Sequence, residues 1–208
     1  MTDGLPLAGT VVLVRDGAAT VEVLILRRPA RGSFADAWVF PGGLVEDGDR
    51  TEGGTGQDAA RAAAARECAE EVGLHPVDLV PLSRWIPPAQ APKRVGTWFF
   101  LAADPGGAVV PSPDEVVDWR WIGPVEALER HAAGDIELFP PTWVTLHGLV
   151  GYASAAEALA AASDAPTFAT RLLPGDVFCW AGDARHPDGG EGVHRLETAV
   201  RPWRYRRD

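Results

Sequence analysis

Cysteine is scarce in this sequence, which contains only Cys68 and Cys179 among its 208 residues. Two cysteines are too few for a disulfide framework, and neither lies at the spacing of a zinc-ligand motif. We therefore expect two unpaired thiols in a reducing compartment, with a single disulfide bridge as the alternative. The five histidines also show neither zinc-site nor catalytic-triad spacing.

Long apolar segments and net positive charge are missing as well. No apolar run approaches the ~20 residues of a membrane-spanning helix, and residues 1–6 lack the pattern of a signal peptide. We therefore expect a cytoplasmic protein without a membrane partner. The formal net charge of −10 opposes general affinity for nucleic acid, so we expect no nucleic-acid partner either.

The hydrophobic pattern predicts strands interleaved with helices. Residues 9–15 and 21–27 are typical of a β-hairpin, because both are β-rich and Asp-Gly follows the first run. Residues 95–102 and 116–122 predict two further strands. The apolar positions of residues 142–162 predict one long helix. This alternation indicates an α/β layered domain.

A strong helix-forming segment follows a polar, glycine-rich stretch that extends from Val45 to Gln57. Asp58 stands where an N-cap is expected, and four consecutive alanines follow Arg61. Gly73 lies where a left-handed C-terminal cap ends a helix. We therefore predict a helix of roughly four turns, whose alanine face lies close against a sheet.

The end of this helix carries three acidic residues on one face, since Glu67, Glu70 and Glu71 stand at i, i+3 and i+4. Like charges at these spacings cost about 0.2–0.5 kcal/mol per pair, and the helix dipole costs anions there roughly another 0.3–1 kcal/mol each. A bound Mg²⁺ or Mn²⁺ reverses this balance, because hard cations favour clustered carboxylate oxygens. The alternative is a solvated acidic face with Arg61 and Arg66 as counter-charges.

The acidic helix contains the pattern Arg-Glu-x-x-Glu-Glu-x-Gly, which arises by chance about once per million windows. With the preceding Pro-Gly-Gly turn, it resembles the Nudix box, Gly-x5-Glu-x7-Arg-Glu-U-x-Glu-Glu-x-Gly-U, in which U is a bulky apolar residue. The matching positions are Gly43, Arg66, Glu67, Glu70, Glu71, Gly73 and Leu74. Asp49 stands where the box has its first glutamate, and Cys68 takes the first U position. Residues 50–65 replace a spacer of seven, so we infer an insertion of nine residues.

The resemblance implies a Nudix-fold α/β/α sandwich with a mixed β-sheet, and it extends over roughly residues 7–160. We assign residues 1–165 to this Nudix hydrolase domain. Residues 166–208 form a C-terminal extension that we expect to pack on the same domain. Many relatives are dimers, so the resemblance also implies a homodimer.

The same resemblance implies a set of site residues. The expected ligands of Mg²⁺ or Mn²⁺ are Glu67, Glu70, Glu71 and Asp49. The residues expected to take part in catalysis are Glu67, Glu70, Arg66 and Glu115. The residues expected to contact the substrate are Arg28, Gly42, Gly43 and Arg94. The general base stays open between a glutamate of the box and an acid of a later loop, either Asp114 or Glu115.

Ordinary solvation and packing offer alternatives for several side chains. Arg28 and Arg94 are also typical of solvated strand ends. Trp38 and Trp98 suit either stacking on a nucleobase or core packing, and we favour core packing for both.

The resemblance implies a metal-dependent hydrolase that cleaves a diphosphate bond in a nucleoside diphosphate linked to another moiety. The order of the motifs is similar to the branch that includes acyl-CoA and CoA diphosphatases. Two positions depart from the CoA signature, since Asp36 and Gly32 stand where it has a glycine and an arginine. The alternatives are a Nudix-fold nucleotide-binding or regulatory module without turnover, and a magnesium-dependent enzyme of unrelated fold.

Overall fold

An eight-stranded sheet forms the centre of the computed structural model, which describes residues 4–32, 34–162 and 164–208. Residues 1–3, part of the stretch that we expect to lack a signal peptide, lie outside the described residues. The strands of this sheet are β1 (Leu7–Asp16), β2 (Val21–Arg27), β3 (Trp38–Val39), β4 (Gly42–Leu44), β5 (Val80–Ile86), β6 (Gly96–Ala103), β7 (Asp118–Ile122) and β8 (Thr167–Ala169). The α-helices are α1 (Gly56–Val72), α2 (Pro124–Ala133), α3 (Pro140–Leu149) and α4 (Ala155–Ala161).

The sheet is mixed, as predicted. β1 pairs antiparallel with β2 and β4, and its other edge pairs parallel with β6. β5 continues the sheet antiparallel to β6, and β8 pairs parallel with β5. The predicted hairpin is confirmed, because Val14 lies opposite Val23 across β1 and β2.

Side chains of β1 alternate between the two faces of the sheet, as a fully buried central strand requires. Val11 and Leu13 pack in a core that α1 covers. Val12 and Val14 pack in a second core on the opposite face, which α2, α3 and α4 cover. The predicted α/β/α sandwich is therefore confirmed.

The backbone of α1 touches the sheet directly. Ala60 is fully buried and lies over Gly9 of β1. A Cβ atom at Gly9 would overlap the carbonyl oxygen of Ala60, so only glycine allows this approach. The contact fixes the height of α1 above the sheet, and thereby the position of its acidic C-terminal half.

The start of α1 differs from the prediction. Its N-cap is Thr55, not Asp58. The Thr55 hydroxyl accepts a hydrogen bond from the Asp58 N–H at 3.2 Å, and the Asp58 carboxylate accepts one from the Thr55 N–H at 3.1 Å. Asp58 is thus the N3 residue of a capping box, and the helix begins at Gly56, three residues earlier than a cap at Asp58 predicts. The end is as predicted, since Gly73 adopts a left-handed conformation with φ of 69°.

The single helix predicted over residues 142–162 is wrong. Two helices, α3 and α4, occupy this region. Gly151, with φ of 101°, lies between them, and the Ser154 hydroxyl caps the second by accepting from the Glu157 N–H. The apolar spacing was compatible with a continuous helix, but the extended backbone of Val150 ends α3, and the positive φ of Gly151 then turns the chain away from a helical path.

The last strands of the chain lie in two sheets. β8 belongs to the central sheet, whereas β9 (Arg171–Leu173), β10 (Val177–Cys179), β11 (His194–Glu197) and β12 (Arg204–Arg207) form a separate antiparallel sheet. Trp180 and Leu196 of this region are fully buried in the core that α2 and α3 cover. The division of the chain at residue 165 stays a prediction.

Both cysteines are buried free thiols. Within the described ranges, no helix has both the length and the apolar character needed to cross a lipid bilayer.

The contact between Gly9 and Ala60 predicts a position-specific sensitivity to side-chain size. We expect Ala60→Leu to lower the free energy of unfolding by about 1–3 kcal/mol, because α1 lies so close to the sheet that the added atoms overpack the core in which the Ala60 side chain is fully buried. Ala62→Leu is the matched control, since Ala62 is exposed on the same helix and its substitution is expected to change stability by under about 0.5 kcal/mol. Urea unfolding of both variants measures the difference, and equal effects would contradict the proposed cause.

The buried carboxylate of Asp183 leads us to predict that the stability of the second sheet depends on pH. Its carboxylate is fully buried and accepts hydrogen bonds from the Arg195 side chain and from the N–H groups of Arg185 and His194. Burial alone would raise the pKa of Asp183, but these donors hold it below the ordinary value of 3.8. The stabilisation is therefore fully present above pH 3.8 and is lost as pH falls through the lower folded pKa.

We expect Asp183→Asn to lower the free energy of unfolding at neutral pH by about 3 kcal/mol, because Arg195 loses its buried partner. The difference from the wild type should shrink as pH falls below 3.8 and through the lower folded pKa, where the wild-type carboxyl group also becomes protonated. Glu197→Gln is the control, since its carboxylate lies 4.0 Å from Arg206 near the surface and is expected to contribute under about 1 kcal/mol. A pH-independent difference would disprove the charge argument.

Candidate active site at the acidic helix

The Arg66 guanidinium connects the three parts of the predicted box. Its Nε and Nη2 donate to the two carboxylate oxygens of Asp49 at 3.1 and 3.0 Å. Its Nη1 donates to Glu67 at 3.1 Å and to Glu70 at 2.8 Å. Nη2 also donates to the Leu44 carbonyl at 3.0 Å. One side chain therefore joins the end of β4, the following loop and α1.

Asp49 lies in a 3-10 helix (Asp47–Asp49) that follows β4, and it is buried. It accepts a further hydrogen bond from the Glu46 N–H at 2.8 Å. Burial alone would raise its pKa, but the Arg66 and Glu46 donors hold the pKa of Asp49 below the ordinary value. Both oxygens are thus engaged by protein donors, and this geometry favours a positioning role over the ligand role that the alignment predicts.

Glu71 is the most enclosed acid of the box, with 1% of its surface exposed. Its carboxylate accepts from Arg28 at 2.6 Å and from the Gly42 N–H at 2.9 Å. Burial raises the pKa of Glu71 to about 7 against the lowering effects of Gly42 and Arg28, and the charges of Glu67 and Glu115 add to the rise. The structure therefore brings the predicted residues Arg28, Gly42 and Glu71 into direct contact.

Gly43 lies directly beneath the Glu67 carboxylate. It pairs with Gly9 across β4 and β1, and a Cβ atom at Gly43 would overlap the Glu67 side chain. Glycine is required here because the carboxylate approaches the strand backbone closely. The Pro-Gly-Gly turn and the acidic helix therefore form one local structure.

The Glu67 carboxylate is half-buried and surrounded by like charge. Burial raises its pKa, Arg66 opposes the rise, and the charges of Glu70 and Glu115 reinforce it. Among the contacts within the described residues, Arg66 donates to Oε1 of Glu67 and to Oε2 of Glu70, and no hydrogen bond reaches the second oxygen of either group. Two hard oxygen donors thus remain for a cation, which fits the chemistry of Mg²⁺ or Mn²⁺.

The predicted four-carboxylate set is not assembled on one point. In the part of the chain that the structure describes, no three His, Cys, Asp or Glu side chains are arranged to hold a metal ion. Asp49, Glu67 and Glu70 form ion pairs with Arg66. Glu71 instead forms an ion pair with Arg28 and a hydrogen bond with the Gly42 N–H. Their assignment as metal ligands therefore stays a prediction.

Glu115 reaches this site from a later loop. The segment is bonded to the end of α1, since the Val110 N–H donates to the Val72 carbonyl at 2.9 Å and the Ser112 N–H to the Glu71 carbonyl at 2.8 Å. Glu115 itself is exposed, and its charge acts on Glu67 and Glu71. This proximity supports its selection as a site residue.

Arg94, Trp38 and Trp98 take no part in the hydrogen bonds described above for the acidic site. Arg94 is located in the loop between β5 and β6, and within the described residues it forms no ion pair with the acids of the box. Trp38 is buried in the core beneath the Arg120 guanidinium, which supports core packing. Trp98 is partly buried beside the α1-side core.

Arg31 is a site residue that the sequence reasoning missed. Its Nη2 donates to the Asp114 carbonyl at 3.3 Å, so it links the loop after β2 to the loop that carries Glu115. The signal that could have indicated it is the arginine-rich run that begins at Arg27 and includes Arg28 and Arg31.

Comparison with known proteins agrees with this geometry. A family model described as NUDIX domain matches residues 5–141. A Caenorhabditis elegans protein named as nudix hydrolase 7 is 28% identical over 161 residues, which cover 59% of this chain and 53% of that protein. The chain therefore spans about half the length of this curated relative.

Two solved structures share the fold. The crystal structure of a NUDIX hydrolase from Alicyclobacillus acidocaldarius has a TM-score of 0.69 at 24% identity and covers 78% of this chain and 98% of its own. The NUDIX domain of Shewanella oneidensis NrtR, crystallised with ADP ribose, has a TM-score of 0.55 at 16% identity and covers 70% of this chain and 86% of its own. Because the NUDIX model accounts for residues 5–141, the chain belongs to the Nudix hydrolase family.

Proposed function

We propose that this protein is a Mg²⁺- or Mn²⁺-dependent hydrolase that cleaves the diphosphate bond of a nucleoside diphosphate linked to another moiety. One observation carries the proposal: a single guanidinium, Arg66, binds both Glu67, which lies beside the backbone of Gly43, and Glu70, and among the described residues each glutamate keeps a free carboxylate oxygen. A solvated acidic face would not require a glycine beneath Glu67, nor a buried Asp49 that binds Arg66.

Glu67 and Glu70 would hold the metal through their free oxygens, and Glu71 would complete the set if it left Arg28. When bound, the metal supplies charge neutralisation at the phosphates and lowers the pKa of the attacking water. The raised pKa values of Glu67 and Glu71 agree with a site that is short of positive charge. The donor set therefore fits a hard divalent cation.

The remaining residues position the substrate and move a proton. Arg28 would bind a phosphate oxygen in the same region as the Gly42 N–H, since both already bind a carboxylate there. Arg66 orients the glutamates through charged hydrogen bonds. We assign the general base to the Glu115 carboxylate, because its charge raises the pKa of both Glu67 and Glu71 and it is exposed to water.

Coenzyme A and its acyl derivatives are the substrates we propose to test first. The order of the motifs along the chain supports them, whereas Asp36 and Gly32 depart from the CoA signature. ADP-ribose is the second candidate, since a domain of the same fold binds it. A homodimer in the cytoplasm stays part of this proposal.

Hydrolysis and its dependence on the acidic helix can be measured together. We expect the protein with Mg²⁺ or Mn²⁺ to cleave at least one diphosphate among CoA, acyl-CoA, ADP-ribose, NADH and nucleotide sugars. Glu67→Gln should lower kcat/KM by about 100-fold or more, because it removes charge from the metal and water site. Glu129→Gln, an exposed acid on α2, is the control that should retain activity. Mn²⁺ binding without turnover would support a regulatory module instead.

Asp49 provides a test of positioning against ligation. We expect Asp49→Asn to lower kcat by about 10–100-fold, because Arg66 loses its charged anchor. Mn²⁺ affinity should change less than activity, and Asp49→Glu should recover much of the rate by restoring the charge. Mn²⁺ binding followed by electron paramagnetic resonance separates the two roles. A loss of Mn²⁺ affinity that equals the loss of kcat would assign Asp49 as a ligand.

A further inference from the structure

Two phenylalanine rings lie exposed at one edge of the structure. Phe34 is 54% exposed and Phe139 is 38% exposed, although aromatic side chains of this size are usually buried. The rings meet edge to face, with centroids 4.9 Å apart and an interplanar angle of 85°. We define them as the phenylalanine pair.

The backbone at Phe34 is held in an uncommon conformation. Its φ is 60°, a left-handed value that is rare for bulky residues. The Phe34 carbonyl accepts a hydrogen bond from the Ala37 N–H at 3.1 Å, which closes the turn. Such outliers persist where the surroundings fix them, and they occur often at ligand clamps. Here the outlier presents an apolar ring to solvent.

Phe139 is presented by a firmly anchored segment. Its carbonyl accepts the first hydrogen bond of α3, from the Trp143 N–H at 2.9 Å. Two residues earlier, the Glu137 carbonyl accepts from the Trp38 N–H at 2.9 Å, and the Glu137 side chain pairs with Arg201. The ring is therefore exposed although the backbone that carries it is fixed.

The chain between β2 and β3 connects the phenylalanine pair to the acidic site. Arg28, at the start of this connection, binds Glu71, and Arg31 binds the Asp114 carbonyl beside Glu115. Phe34 follows Arg31 by three residues, so their Cα atoms lie at most about 11 Å apart. Along one short connection, guanidinium groups near the acids are thus followed by an aromatic ring at the surface.

This order matches the chemistry of a nucleoside diphosphate, which joins an anionic group to a planar base. We propose that the phenylalanine pair is the subsite for the nucleobase, with Phe34 stacking on the base while the diphosphate lies at Arg28. The inference rests on the proposed function and names the part of the substrate that this surface would bind. Trp38, which is buried in the core, does not offer such a surface.

Binding measurements with and without a base test the subsite. We expect Phe34→Ala to weaken the binding of Mg²⁺–ADP by about tenfold relative to Mg²⁺–pyrophosphate, since stacking on an aromatic residue contributes about that factor per base. Phe139→Leu should shift the same ratio in the same direction, and Phe34→Trp should keep it near the wild-type value. Val77→Ala, at a 70% exposed residue in the segment after α1, is the control. Isothermal titration calorimetry measures both dissociation constants.

An unchanged ratio in Phe34→Ala, or an equal loss of ADP and pyrophosphate binding, would overturn the nucleobase subsite. The unfolding midpoint of Phe34→Ala is expected to match that of the wild type, because Phe34 is exposed. The two proposals fail separately. If the wild type binds ADP through Phe34 but cleaves no diphosphate of the panel, hydrolysis is wrong and the subsite stands. If cleavage occurs with an unchanged ratio, only the subsite is wrong.

Discussion

The Arg66 guanidinium is the interaction on which the arrangement of the acidic site depends. It binds both oxygens of Asp49, one oxygen of Glu67 and one of Glu70, and the carbonyl of Leu44. Without it, three carboxylates and a strand end would lie together with no positive charge to offset their repulsion. A planar, permanently charged group with several donors can satisfy all of them at once, which an ammonium group cannot do in the same geometry.

That arrangement in turn depends on how closely α1 approaches the sheet. Gly9 allows the backbone of the helix to touch β1, and Gly43 allows Glu67 to lie on the strand backbone. The absence of a side chain at these two strand positions therefore determines where the acidic residues lie. Packing and chemistry are not separable in this region, because Gly9, which permits the helix to dock, pairs with Gly43, which lies beneath the Glu67 carboxylate.

The helix that carries the acids followed from local sequence pattern, whereas the mixed sheet followed from the resemblance to the Nudix box. Other features depended on tertiary contacts that no pattern records. Asp58 is a residue type that favours the N-cap position, but the N-cap is Thr55 and Asp58 is its partner in the capping box. In sequence, Glu71 is equivalent to Glu67 and Glu70 as an expected metal ligand. In the structure it is buried and forms an ion pair with Arg28, which is far away in the sequence. Phe34 gave no signal because its exposure comes from a loop conformation.

The segment between Asp49 and Thr55 is fixed independently at its two ends. Arg66 holds Asp49, and the capping box holds Thr55 at the start of α1. Because neither anchor depends on the residues between them, and closing a longer loop costs free energy only slowly, this segment can grow or shrink without displacing the acids. The fold thus provides a place where evolution, or a protein engineer inserting a reporter peptide, can add sequence while leaving the chemistry in place.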